Sequence, residues 1–293
     1  MNSYLAANID KQKLLLTVSS PKVIFIGGSN VAFGIDSTRI SEKIGIPVIN
    51  MGLQGSLGIR FQLNDIKSKI NKGDILILAP EYENILGHLS GGETLSQLLV
   101  VYPQGITELS SWNEFWEVTQ AFPSVHTEAI KNMVESSVKH DCFICENTEK
   151  IYYRAAFDMA NGDVIINTDP HYPLYKYSLS LREYHIPNPY LKSNIDFLNE
   201  FEKYVQSRNA RIYFLYPNTV DNIDEYTKGI LNELNSTLNS ELNFPVIGTP
   251  ADAQFPNNLM FDTPYHLNSK GKAIRSEWVA QELCGVITDL NCK

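Results

Sequence analysis

No run in this chain approaches the ~20 apolar residues that a membrane-spanning helix needs. The opening residues, M-N-S-Y-L-A-A-N-I-D-K-Q-K-L-L-L-T-V, lack a charged leader, an apolar core and a small-residue cleavage site, so no export signal is expected. Basic charge is short: 24 Lys and Arg stand against 33 Asp and Glu, giving a net charge of −9 and a pI near 5.2. That balance argues against nucleic acid as the main partner and against an anionic membrane bound through a basic surface. Internal repeats and low-complexity tracts are missing too. So are phosphate loops: G-G-S-N-V-A-F-G at 27–34 has neither the lysine and spacing of a P-loop nor the pattern G-x-G-x-x-G.

Cysteine is scarce. The four fall in two pairs, Cys142 with Cys145 and Cys284 with Cys292. The C-x-x-C in H-D-C-F-I-C-E lacks the βαβ surroundings of a redox motif. A zinc site on His140, Cys142 and Cys145 needs a fourth ligand and commonly a second C-x-x-C, which is missing. Free thiols or local disulfides are expected, with no metal.

What is present is a chain of 293 residues, 43% hydrophobic, with 15 Tyr and 13 Phe, enough for a sizeable core. Five short apolar, β-branched runs end at or near Gly, Pro or Asn: Lys22–Gly27, Pro47–Asn50, Asp74–Ala79, Arg211–Tyr216 and Phe244–Gly248. Helix-like segments alternate with them at Asp36–Ile44, Gly58–Ile70, Lys192–Gln206, Asp224–Leu242 and Ser269–Leu283. The alternation predicts a single α/β domain over 1–293, a three-layer α/β/α sandwich around a five-stranded parallel, flavodoxin-like sheet. It breaks over 86–189, which reads as a helical and loop insertion, or cap, after the third strand. Helical patches there cover Gly92–Tyr102 and Trp112–Lys139.

Ser29 closes the first strand behind Gly27 and Gly28, at the sheet edge where ligands of open α/β sheets sit. Three roles are open to it: a helix N-cap, an anion site at the helix start, or a nucleophile. Residues 261–271, F-D-T-P-Y-H-L-N-S-K-G, weigh toward the last. His266 can take a proton from Ser29 while Asp262 holds its other ring nitrogen. Asn268 reads as the cap of the final helix.

These stretches, with N-M-G-L-Q-G-S-L-G at 50–58, resemble the SGNH (GDSL-like) hydrolase superfamily. Within it, they are most similar to the divergent branch related to cell-envelope polysaccharide O-acyltransferases. The resemblance implies Ser29 as nucleophile, His266 and Asp262 as its partners, and the Ser29 and Gly52 amides as oxyanion donors. Two departures stand out. Where the family ends its third strand in G-x-N-D, this chain reads A-P-E-Y-E-N, with Glu81 to Glu83 in the expected place and Asn84 just beyond, so either Asn84 or a backbone amide fills in, or the hole has only two donors. Losing one oxyanion donor costs about 10²–10³ in rate. Asp262 and His266 are also four residues apart, where the family usually has three.

Gly52, Gly55 and Gly58 also fit a plain strand-to-helix turn, and Asn50 a turn-forming residue. Asn30, Glu81 and Asn218 are candidate substrate contacts, although Asn218 in Y-P-N also suits a turn. His171 and His185 read as surface or packing residues. Tyr172, Tyr175, Tyr177 and Tyr184 could stack on sugar rings or pack the cap.

The expectation is a serine esterase or O-acyltransferase working through an acyl-serine, with an acylated glycan or acyl donor as partner and no cofactor. The branch implies O-acetyl chemistry on a glycan, a membrane acyltransferase as supplier, and an extracytoplasmic location if an anchor has been removed. The rival is an inactive glycan-binding or scaffold module, which the lost G-x-N-D favours. A nucleotide-binding domain fits the fold but lacks a phosphate loop.

Overall fold

A computed structural model describes residues 3–87, 91–109, 111–138, 152–165 and 176–293. Cys142, Cys145, His140, His171, Tyr172 and Tyr175 lie outside these residues. In chain order, α1 (Ala7–Thr17) leads into β1 (Val23–Gly27), followed by α2 (Ser29–Gly34), α3 (Ser37–Ile44), β2 (Val48–Asn50), α4 (Ile59–Lys67) and β3 (Ile75–Ala79). Then come α5 (Tyr82–Leu86), α6 (Gly92–Val101), α7 (Trp112–Val138), α8 (Pro189–Ser207), β4 (Arg211–Leu215) and β5 (Thr219–Val220). The chain closes with α9 (Glu225–Glu241), β6 (Val246–Ile247), β7 (Gln254–Phe255) and α10 (Ser269–Val286).

All five expected strands form, in one parallel sheet ordered β2-β1-β3-β4-β6. β1 (V-I-F-I-G) and β3 (I-L-I-L-A) are buried along their whole length, as strands covered on both faces must be. Alternation sorts their side chains. Ile24, Ile26, Leu76 and Leu78 pack with α4, α8 and α9. Val23, Phe25, Ile75 and Ile77 pack with Ile40 and Ile44 of α3 and Val279, Ala280 and Leu283 of α10. The result is three layers, α/β/α. A second sheet, β5 with β7, was not foreseen because two-residue strands leave no periodic signal.

The helix ends follow their capping chemistry. Asp36 Oδ1 accepts the Arg39 N–H, Asp224 Oδ1 that of Thr227, and Asn268 Oδ1 that of Gly271. Gly45, at φ 78°, stops α3 in the left-handed conformation that glycine adopts freely. The insertion supplies α6 and α7, whose Leu95, Leu98, Leu99 and Val118 form a third cluster with Phe33, Leu57, Phe61 and Phe157. Among the described residues no helix is long and apolar enough to cross a membrane. Cys284 and Cys292 form a local disulfide that ties the end of α10 to the C-terminal tail.

At the edge opposite the site, Lys22 and Asp74 form an ion pair at 3.4 Å with both side chains fully buried. The Asp74 carboxylate also accepts the N–H groups of Lys22 and Asn71, so it pins the starts of β1 and β3 together. Asp74→Ala strands the Lys22 ammonium inside the protein. The expected loss is about 3–5 kcal/mol of stability, read by urea denaturation; a change under ~1 kcal/mol would show that the pair does not hold this edge.

Candidate active site

The carboxyl ends of β1 and β3 set the site. β1 ends at Gly27, and the chain turns through Gly28 into α2, whose first residue is Ser29. Ser29 is not the N-cap: Gly28 holds that position, and no side chain caps the helix. The Ser29 hydroxyl instead donates to Glu81 Oε1 at 2.9 Å. The next backbone N–H, that of Asn30, donates to the same oxygen at 3.2 Å. Glu81 leaves β3 just before α5, so the bond crosses from one strand end to the next.

His266 comes from the loop before α10 and is only 4% exposed. Its Nδ1 lies 2.7 Å from Asp262 Oδ1, so the four-residue spacing does bring the two together. Its ring lies flat on Phe33, with centroids 4.2 Å apart and planes inclined by 11°. Phe33 is four residues after Ser29, on the same face of α2. The imidazole therefore packs one helical turn along from the serine. Among the described residues, no hydrogen bond joins His266 to Ser29; the serine's partner is Glu81.

Tyr152, from the insertion, gave no signal in the sequence. Its O–H donates to Asp262 Oδ2 and lies 3.3 Å from His266 Nδ1, so Asp262 is held on both oxygens. Burial, then the bond to Asp262, pushes the Tyr152 phenol up. Tyr4 packs edge-on against Tyr152 and donates to the Leu53 carbonyl at 2.7 Å. Burial raises the Tyr4 phenol, and the charges of Glu81 and Asp262 add to the shift. Glu83 is raised by burial and accepts the Tyr265 O–H at 2.8 Å.

Three of the expected contacts make bonds within the fold. The Gly52 N–H donates to Asn50 Oδ1 at 2.9 Å, so this amide is already committed and is not presented to an acyl oxygen. A side chain at Gly52 would run into Val31 and the Ala32 backbone, so glycine is needed there for close approach to α2. Asn30 is fully buried and donates to the Ala79 carbonyl at 3.0 Å, which ties α2 to β3. Asn218 is fully buried and donates to the Tyr265 carbonyl beside His266. The amide nitrogens of Asn30 and Asn218 thus brace the framework, while the Oδ1 of each has no hydrogen-bond partner among the described residues. Asn84, 4% exposed, places its amide nitrogen against Gly55, on the wall that also meets Glu81. His185 and Tyr184 lie away from the serine, in a 390 Å³ pocket with Glu83 and Glu183. Tyr177 donates to the Phe261 carbonyl and so braces the histidine loop.

Behind the crevice runs a buried polar network. Besides Gly52, Asn50 bonds the Val31 carbonyl and Asp163 Oδ1. Asp163 accepts both the N–H and O–H of Ser37 at 2.7 Å. Lys11 donates to the carbonyls of Asn50 and Gly162. Comparison with known proteins adds no assignment: no family model matches the chain, and no curated protein matches it significantly.

Burial drives the Lys11 amine from 10.5 down to about 7, outweighing the opposing pull of Asp163 and Asp10. Between about pH 7 and 10.5 the unfolded chain therefore binds more protons at this position than the folded one. Stability gained at Lys11 rises with pH across that window and is flat below it. Subtracting the stability of Lys11→Met from that of the wild type should leave a positive slope of up to about 1.4 kcal/mol per pH unit. Urea denaturation at intervals across the window checks this; a flat or falling difference contradicts a neutral buried amine.

Proposed function

We propose that the protein transfers an acyl group from an oxygen ester through an acyl-Ser29 intermediate, as an SGNH-type esterase or O-acyltransferase. The observation that carries this reading is the seating of His266. Its ring rests on Phe33, one turn from Ser29, and its Nδ1 is tied to an Asp262 that Tyr152 also holds. An imidazole fixed in this way keeps Nε2 for proton exchange, and the carboxylate stabilises the imidazolium that results. Ser29, at the start of a helix and at the carboxyl edge of a parallel sheet, stands where a substrate carbonyl can reach it.

With water as acceptor the chemistry is ester hydrolysis; with a sugar hydroxyl it is O-acyl transfer. The resemblance to the polysaccharide O-acyltransferase branch favours an O-acetyl group on a glycan, supplied by a membrane acyltransferase. It also favours action outside the cytoplasm. The Cys284–Cys292 disulfide suits an oxidising compartment. A second reading, an inactive glycan-binding or scaffold module, draws on the bond from Ser29 to Glu81 and on the committed Gly52 amide.

Incubation with a fluorophosphonate and with p-nitrophenyl acetate separates the two. The acyl-transfer reading expects one phosphonate adduct on the wild type, seen by mass, and none on Ser29→Ala. It expects turnover of the ester to fall by about 10²-fold or more in both Ser29→Ala and His266→Ala. A folded wild type that neither labels nor turns over would leave the binding module standing.

A further inference from the structure

The acyl-transfer scheme above leaves Glu81 without a part, yet Glu81 is the residue that touches the reacting oxygen. Its Oε1 accepts the Ser29 O–H at 2.9 Å and the Asn30 N–H at 3.2 Å. The carboxylate is also wedged in place. A Cβ on Gly28 would sit 2.5 Å from Oε1, and one on Gly55 would overlap the same carboxylate. Only glycine on both sides lets Glu81 reach Ser29. A carboxylate held between two bare Cα atoms is preorganised against the serine rather than parked beside it. His266, for its part, has Nδ1 on Asp262, and no hydrogen bond to Ser29 is found among the described residues.

We infer that Glu81 is the base of the acylation half-reaction and that the His266–Asp262 pair serves the acceptor half; this rests on the acyl-serine reading. The placing of charge decides between the two bases. Net charge is the same by either route, but were His266 to take the serine proton, Glu81 would remain an anion at the serine, beside the oxyanion formed on the attacked carbonyl. By taking the proton itself, Glu81 becomes neutral as the negative charge passes to the carbonyl oxygen, so two anions do not adjoin there.

In acylation the Ser29 O–H breaks, its proton goes to Glu81, and Oγ bonds to the acyl carbon. On collapse, the bond from that carbon to the leaving oxygen breaks, and the leaving oxygen takes the proton back from Glu81. In the second half, a water or sugar hydroxyl gives its proton to His266 Nε2 as its oxygen attacks the acyl carbon. Ser29 Oγ then departs and takes a proton from water, and the imidazolium gives its own to the hydroxide so formed. Atoms and charge balance without a co-reactant.

Stopped-flow kinetics with p-nitrophenyl acetate and fluorophosphonate labelling test the division of labour. If the wild type fails to label, the acyl-serine reading itself has failed. If it labels, Glu81→Gln should lose about 10²-fold or more of the labelling and burst rate constants. His266→Ala should give a burst and then stall, with an acetylated Ser29 persisting in the mass spectrum. Glu81→Ala should recover labelling when formate is added, an external carboxylate that repairs a missing base but not a missing strut. This arm also stands if Glu81→Gln does not fold. Labelling of Glu81→Gln at the wild-type rate or faster, no burst from His266→Ala, or no formate rescue would each overturn the assignment.

Discussion

The contact on which the site depends is the flat stack of His266 on Phe33. Phe33 is fully buried, locked among Leu5, Leu57, Leu95 and Phe157, so the histidine inherits the rigidity of a packed core. Such a stack adds about 0.5–1.5 kcal/mol beyond the area it buries. The loop that carries His266 is tied from both sides. The Val220 N–H donates to the Pro264 carbonyl at 2.9 Å, and Asn218 donates to that of Tyr265. Within the loop, the Phe261 N–H donates to the His266 carbonyl at 2.8 Å. These bonds hold the edge to which the ring is fixed.

The second constraint is the sign of the charge in the crevice. Asp262 pairs with His266, while neither Glu81 nor Glu83 enters an ion pair among the described residues. A further negative charge at ~4 Å would meet a repulsion of about 4 kcal/mol at an effective dielectric of 20. On the acyl-transfer reading proposed above, such a charge arises in the transition state and is met by neutralising a carboxylate or by an imidazolium nearby. On the same reading an anionic acyl group is disfavoured, whereas a neutral ester adds no charge in its ground state.

The sheet was legible because its strands are continuous apolar runs ended by Gly, Pro or Asn, and because Asp36, Asp224 and Asn268 advertise their helices. Ser29, Asp262 and His266 were legible as residue types at strand and helix ends. Other parts were hidden for identifiable reasons. The face that α1 buries includes Asn8, Lys11 and Gln12, whose partners are Asp65 and Asn50, so no apolar stripe marks the helix. Asn50 is the turn-forming residue expected, its Oδ1 accepting the Gly52 N–H two residues on, but its bonds to the Val31 carbonyl and Asp163 reach distant parts of the chain and left no local signal. Tyr152 lies 110 residues from the carboxylate it serves, beyond the reach of any local pattern.

The same bonds decide what the insertion is. A lid laid over a finished site would leave that site's own contacts intact if it were lifted. Here the insertion provides Tyr152 to Asp262 and Asp163 to both Ser37 and Asn50. Its backbone is sewn in as well. The Asn161 carbonyl accepts the N–H of Asn50 at 2.8 Å, and the Val164 carbonyl accepts Lys272 of α10 at 2.7 Å. Lifting these residues would unpair Asn50, which holds the Gly52 amide, and would free one oxygen of the carboxylate that orients His266. Sheet layer and insertion therefore meet at one set of residues, with the start of α2 providing the serine, the loop before α10 the histidine, and the insertion fixing how they are held.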